Sequence, residues 1–329
     1  MKIKWGILST ARIARTQFIP AIDRAENAEV VAIASRNNKV HNIARELNIP
    51  RAYESYEALL NDPDIDAVYI PLPNHLHKEW AISAIQKGKH VLSEKPATLT
   101  AEEATEIKEA LISSPVKYME GFMYQFHPQH ERVKEIIASG EIGTVKQFNS
   151  SFSFHLGDRE NSIKMQKEYG GGSLYDVGCY PIHAARMILG SEPIELQAFS
   201  LNDQDSGVDL TTSTFMKFAG NVIAKTESSI DMANRDEYEI IGTKGIVKVP
   251  HAFRPDKVGG VGTVIVEKDN EIRKEKFSGD IYRLEVEHFS SAILNDGTVS
   301  YTIDDTINNM KVMDACWDSI KTGRSVNIK

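Results

Sequence analysis

The first third of the chain alternates short β-branched runs with helical stretches, and that alternation leaves few folds open. Ile3 to Leu8, Glu29 to Ala34, Ala67 to Pro71, His90 to Ser93 and Val116 to Glu120 read as strands. None has a clean apolar–polar alternation, as expected of strands covered on both faces. Helical stretches lie between them: Arg12 to Ala25, Val40 to Leu47, His75 to Gln86 and Ala101 to Ile112. Thr100 followed by Glu103 has the form of a capping box, and Gly88 stands where a helix C-terminal glycine belongs. Repeated β-α-β units of this length imply an α/β fold with a doubly wound parallel sheet.

After Gly121 the pattern changes. A helix from Pro128 to Ala138 ends at Gly140, a strand runs from Val145 to Phe154, and a Gly-rich charged loop, 157–172, leads into a helix from Leu174 to Leu189 capped by Ser173. Residues 194–277 hold further strand-like stretches, among them Thr211 to Phe218, Val222 to Ile230, Tyr238 to Ile241 and Gly245 to Val249. The turns Ala219-Gly220-Asn221 and Thr243-Lys244-Gly245 suit hairpins. Two helical patterns, Tyr282 to Leu294 and Asp304 to Lys321, close the chain. This half reads as an α+β domain built on a large, mostly antiparallel sheet. A chain of 329 residues is comfortable for two domains, here 1–121 and 122–329. Thr211, Thr212, Ser213, Thr214, Thr226, Ser228 and Ser229 load the strands with hydroxyls, which fits a solvated sheet face and a subunit interface alike.

A net charge of −8 without a basic stripe argues against a nucleic-acid partner. No apolar run approaches the ~18 residues of a membrane span, so no membrane partner is expected. A strand starting at Ile3 leaves no room for a signal peptide. The two cysteines, Cys179 and Cys316, make no disulfide framework, and a cytoplasmic location is the simpler reading. The histidines show no HExxH spacing, and His127-x-x-His130 reads as a helix start, so no metal site is expected.

Gly6 to Ala14 falls where a dinucleotide fingerprint should fall, after the first strand and opening the first helix. The usual G-x-G-x-x-G is reduced to Ser9-x-Ala11-x-x-Ala14. Small residues still allow a tight turn and close approach of backbone N–H groups to a pyrophosphate. Ser9, Thr10, Ala11, Arg12 and Ile13 are therefore the expected cofactor contacts. The second strand ends in Ser35-Arg36, where an acidic residue would hold a ribose 2′-hydroxyl. A hydroxyl and a guanidinium suit a 2′-phosphate instead, which points to NADP(H) as the preferred cofactor, with NAD(H) possible.

The remaining chemistry sits in two segments. Leu72, Asn74 and His77 follow the fourth strand, and Glu94-Lys95-Pro96 follows the fifth. Alone, Asn74 reads as a helix cap and His77 as a half-buried helix histidine. Their shared sheet edge assigns them, with Glu94 and Lys95, to the nicotinamide end of the cofactor, since open α/β sheets bind ligands outside the carboxyl ends of their strands. In the second half, Gly170-Gly171-Gly172 leads to Asp176, Tyr180 and His183, spaced i, i+4 and i+7 on one helical face. Gly178 within that helix costs stability and permits close approach of another group.

These motifs together resemble the Gfo/Idh/MocA oxidoreductase family over the whole chain. The likeness rests on the reduced glycine turn, Pro73-Asn74-x-x-His77, Glu94-Lys95-Pro96, and the triple glycine leading to Asp176-x-Gly178-x-Tyr180. Met119 to Pro128 is most similar to the branch of glucose–fructose oxidoreductase, NADP-dependent xylose dehydrogenases and dimeric dihydrodiol dehydrogenases. Tyr180 stands where many members carry histidine, and Gln125 where members of this branch often carry arginine. The resemblance implies an N-terminal Rossmann domain, a C-terminal domain whose open sheet pairs subunits into a homodimer or a dimer of dimers, and no metal. It further implies hydride exchange between nicotinamide and a carbinol carbon of a sugar, polyol or cyclic diol. Tyr180 is then the acid/base, Lys95 favours its phenolate, and Asp176 orients a hydroxyl or Lys95. Tyr124, Gln125 and His183 are the expected substrate contacts. The alternatives are a nucleotide-sensing regulator of the same fold and an NAD-dependent glycosidase. The enzyme reading requires the Lys95 amine and the Tyr180 phenol to flank the redox ring.

Overall fold

The computed structural model describes residues 1–328 and divides into two compact units. The first holds Met1–Met123 and Tyr282–Ile307, the second Tyr124–Ile281 and the chain from Asn308 onward.

In the first unit β1 (Ile3–Leu8), β2 (Ala28–Ala34), β3 (Arg51–Tyr53), β4 (Ala67–Ile70), β5 (His90–Glu94) and β6 (Tyr118–Gly121) form one sheet in the order β3-β2-β1-β4-β5-β6. Every neighbouring pair is parallel. Between these strands and before β6 lie α1 (Ile19–Arg24), α2 (Val40–Glu46), α3 (Tyr56–Leu60), α4 (His77–Gln86) and α5 (Ala101–Ile112). The expected capping box is present: Thr100 Oγ1 accepts from Glu103 N, and Glu103 Oε2 accepts from Leu99 N. Order reverses at β1, whose neighbours are β2 and β4, and this is where such sheets open a crevice.

The second unit is built on nine strands: β7 (Val145–His155), β8 (Pro193–Asn202), β9 (Asp209–Phe218), β10 (Val222–Ser229), β11 (Asp231–Gly242), β12 (Ile246–Pro250), β13 (Val261–Lys268), β14 (Glu271–Ser278) and β15 (Val326–Asn327). Their order is β14-β13-β12-β11-β7-β10-β9-β8-β15, and only the β7–β10 pair is parallel. Both expected hairpins occur, β9–β10 and β11–β12. α6 (Pro128–Ala138) packs on β13 and β14, and α7 (Cys179–Leu189) on β7 and β10. α8 (Ile281–Leu294) and α9 (Ile303–Thr322) complete the chain's helices.

Three differences from the sequence expectations have physical causes. The domain boundary falls at Met123, and the segment from Tyr282 to Ile307 joins the first unit, not the second. Trp5 explains the return: its ring lies 5.7 Å from that of Phe289 and its indole N–H donates to Ser290 Oγ at 3.2 Å. The sheet hydroxyls lie mainly inward. Thr212, Thr214, Thr226 and Ser228 are buried, while Phe199, Leu201, Phe215 and Ile223 are exposed along with Lys217 and Lys225. Finally, the expected Ser173 cap is not used: Ser173 sits inside a helical turn and makes no capping hydrogen bond to the helix that follows.

Candidate active site

In the first unit the turn after β1 is tight. Ser9 takes φ 152°, a conformation disfavoured for a side-chain-bearing residue, and its Oγ accepts from Ala11 N at 3.0 Å. The helix then opens through one wide π-type turn, Ala14–Phe18. Such turns are often found at functional sites. Gly6 has a packing role rather than a phosphate role, since a Cβ there would lie 2.7 Å from Leu59 Cδ2. Arg36, at the end of β2, is exposed, and no other described residue forms an ion pair or hydrogen bond with its side chain. A narrow small-residue turn and an uncommitted guanidinium fit a dinucleotide carrying a 2′-phosphate.

The Glu94-Lys95-Pro96 segment is gripped from three sides. Tyr69 Oη donates to Glu94 Oε1 at 2.5 Å, His77 Nδ1 lies 2.7 Å from the Pro96 carbonyl, and Ala97 N donates to Glu120 Oε1 at 2.9 Å. The other Glu120 oxygen accepts from Thr306 Oγ1 at 2.9 Å. Tyr69 in turn stacks on Phe18, centroids 3.6 Å apart, and Phe18 meets Trp5 edge-on. The half-buried Lys95 therefore rides on a braced loop at the carboxyl end of β5, and its bond to Pro96 is cis. Burial, and then the charge of Glu94, push the Glu285 carboxyl well above the usual range. Of the residues expected around this edge, Leu72 and His77 are buried and joined, with His77 Nε2 at 2.7 Å from the Leu72 carbonyl.

In the second unit the helix start is held by a carboxylate from a distant strand. Asp209 Oδ2 accepts from Leu174 N at 2.8 Å, Ser173 Oγ at 2.6 Å and Thr212 Oγ1 at 2.7 Å. Burial raises its pKa, and these bonds act against that shift. Gly172, at φ +102°, is required here because a Cβ would sit 2.0 Å from Asp209 Oδ1. Gly178 admits Ser228 Oγ at 2.9 Å from its missing Cβ, which lets the helix lie on β10. A second wide turn, Leu174–Gly178, precedes α7.

Tyr180 is 4% exposed and ringed by Phe152, Phe253 and Tyr124 at 5.2, 5.7 and 5.7 Å between centroids. Tyr124 and His183, both buried, are hydrogen-bonded at 2.5 Å, and burial followed by the charge of Arg186 holds the imidazole well below its ordinary pKa. These two brace each other behind Tyr180. Gln125 keeps a buried Nε2 with no hydrogen-bond partner among the described residues. Asp176 forms an ion pair with Lys164, whose ammonium also lies over the Phe154 ring. The triple glycine makes this possible: a Cβ on Gly171 would strike the Lys164 carbonyl at 2.5 Å. Lys164, Tyr69 and Asp209 carry no motif of their own, and only their distant partners reveal them.

Residues 3–122 match the model described as "Oxidoreductase family, NAD-binding Rossmann fold", and residues 130–248 match that of the GFO/IDH/MocA C-terminal domain. The chain is 39% identical to D-xylose 1-dehydrogenase (NADP(+)) 2 of Haloferax volcanii, over 98% of this chain and 99% of that protein. It is 34% identical to trans-1,2-dihydrobenzene-1,2-diol dehydrogenase of Xenopus laevis, over 76% of each. Among solved structures it is similar to a 3-ketoreductase from Actinomadura kijaniata in complex with NADP and TDP-benzene, with TM-score 0.91, 29% identity and 98% of both chains covered. That reductase has also been solved with a tyrosine replaced by phenylalanine and with a lysine replaced by alanine or by glutamate.

The buried histidines predict an acid-sensitive fold. Burial chiefly, and then the charge of Lys95, lower the His77 pKa from 6.5 to about 4 against the pull of its two carbonyl partners. The folded protein thus binds this proton more weakly than the unfolded chain, so the stabilisation is complete above pH 6.5 and is lost as pH falls from 6.5 to about 4. Urea midpoints measured across that window should decline, with a shallower decline in His77→Asn.

Proposed function

The chain belongs to the Gfo/Idh/MocA family of oxidoreductases, and from that premise we propose that it transfers a hydride between NADP(H) and a carbinol carbon of a sugar, polyol or cyclic diol. The observation that carries this reading is the braced Lys95 at the carboxyl end of β5, on the same sheet edge as the Ser9–Ile13 turn and Arg36. The nicotinamide cofactor, when bound, would supply the hydride as NAD(P)H or accept it as NAD(P)+. Ser9, Thr10, Ala11, Arg12 and Ile13 cradle the pyrophosphate with backbone N–H groups. Ser35 and Arg36 take the 2′-phosphate, which favours NADP(H) over NAD(H). The named cofactor of the xylose dehydrogenase relative supports that preference.

Tyr180 gives or takes the hydroxyl proton. A free phenol with a pKa near ~10 is a poor base at neutral pH, and an ammonium beside it favours the phenolate. Lys95 has that role. The aromatic surround of Tyr180 excludes water and so strengthens the effect of any neighbouring charge. Asp176, fixed by Lys164, orients a substrate hydroxyl. The unpartnered Gln125 amide supports a role in holding a second one. Tyr124 and His183 act behind Tyr180, and Leu72, Asn74, His77 and Glu94 shape the nicotinamide end. The position of His77 between the Leu72 and Pro96 carbonyls, to one of which the neutral ring donates, supports this.

The exposed face of the nine-stranded sheet carries Phe199, Leu201, Phe215 and Ile223, between 38% and 68% exposed. These apolar side chains, on a face that also presents Lys217 and Lys225, fit a second copy of the chain, and a homodimer is part of the reading.

Assayed by reduced-nicotinamide absorbance with NADP+ and a panel of aldoses, polyols and cyclic diols, Tyr180→Phe and Lys95→Met should each lose roughly 100-fold or more in kcat while still binding NADPH. Near wild-type kcat in either variant contradicts the assigned role. Phe215→Asp should convert the dimer to monomers on a sizing column with light scattering, and an unchanged mass would remove the sheet-face interface.

A further inference from the structure

Arg36 is held by two aromatic rings. Its guanidinium carbon lies 5.3 Å from the centroid of Tyr56 and 5.5 Å from that of Trp80. The two rings meet edge-to-face, 4.9 Å apart at 79°. A planar guanidinium cannot lie parallel to both, so one ring supports its face and the other its rim. Both rings are rooted in the core, Tyr56 at 7% exposure and Trp80 at 2%, whereas Arg36 is exposed. Tyr56 is the first residue of α3, whose start is fixed by Ser55 Oγ accepting from Ala58 N at 3.0 Å.

The backbone under Arg36 is fixed as well. Ser35 N donates to the Tyr53 carbonyl at 3.0 Å, and Asn37 Oδ1 accepts from Lys39 N at 2.7 Å. An exposed arginine ordinarily samples many rotamers, and ordering it on binding weakens the complex. Contact with the rings orders it in advance. One ring takes a face of the guanidinium and the other one edge of its rim, which leaves the rest of its in-plane N–H fork, the part that recognises phosphate oxygens, unspent. No acidic side chain among the described residues competes for that fork.

We infer that Tyr56 and Trp80 are selectivity-determining positioning residues, which preorganise Arg36 for the 2′-phosphate of NADP(H) without needing to touch the nucleotide themselves. This rests on the reading of Arg36 as the 2′-phosphate contact. NAD(H) lacks that phosphate, so loss of a supporting ring weakens NADP+ binding and leaves NAD+ binding as it was.

The test is the ratio of Kd values for NAD+ and NADP+, measured by titration calorimetry in wild type, Arg36→Ala, Tyr56→Phe and Tyr56→Leu. Tyr56→Leu should lower the ratio roughly three- to thirtyfold with the NAD+ Kd unchanged. Tyr56→Phe, which keeps the ring, should retain the wild-type ratio. Should Tyr56→Leu fail to fold, Tyr56→Met fills the same space with a flexible side chain and carries the same expectation. An unchanged ratio in the non-aromatic variants, or equal weakening of both cofactors, overturns the inference if Arg36→Ala collapses the ratio. An unchanged ratio in Arg36→Ala overturns the Arg36 reading itself, and this inference with it.

Discussion

All six strands of the first sheet run one way, so every strand-to-helix turn in that unit leaves from a single edge. That constraint collects residues from across the first unit. The Ser9 turn follows β1, Arg36 follows β2, the Leu72–His77 segment follows β4, and Lys95 follows β5. Because β1 has β2 on one side and β4 on the other, the connections on its two sides diverge and leave room for a ligand. The core beneath supplies rigidity: Trp5, Phe18 and Tyr69 form a chain of ring contacts that ends in the Tyr69–Glu94 hydrogen bond. Packing and chemistry are continuous there.

The second unit solves a different problem, how to hold a phenol still in apolar surroundings. Asp209 fixes the start of the helical segment from another strand, and two glycines bring it close enough for that to work. Tyr180 then falls among aromatic rings, with the Tyr124–His183 pair behind it. Each buried polar group here is costly unless satisfied, and the buried Thr212 and Ser228 hydroxyls of β9 and β10 bond to Asp209 and Ser173.

The alternation of strand and helix was legible because strands covered on both faces read as unbroken apolar runs, and the candidate site segments are picked out by their position on that pattern. Short elements were not. β3 and α3 have three and five residues, too few for a periodicity to emerge, yet α3 carries the Tyr56 that meets Arg36. The return of α8 to the first unit was hidden for another reason: an amphipathic helix states that it has a buried face, not which core receives it. Ser173 looked like a helix cap and is not one, because the carboxylate that binds the helix start lies 36 residues further on. Local sequence rules favour the nearest side chain, and tertiary structure supplied a stronger acceptor. The triple glycine was visible as a motif, but its role in seating the Lys164 carbonyl depends on a loop whose path no periodicity encodes.

Hydride transfer is the claim on which the functional account turns. Aldoses, polyols and cyclic diols carrying deuterium on their carbinol carbons would be incubated with the protein and NADP+, and the recovered cofactor examined by mass spectrometry and NMR. The account predicts deuterium at C4 of the reduced nicotinamide for at least one member of the panel, with none released to water. Cofactor reduction without label at C4, or no reduction by any member of the panel, would contradict it.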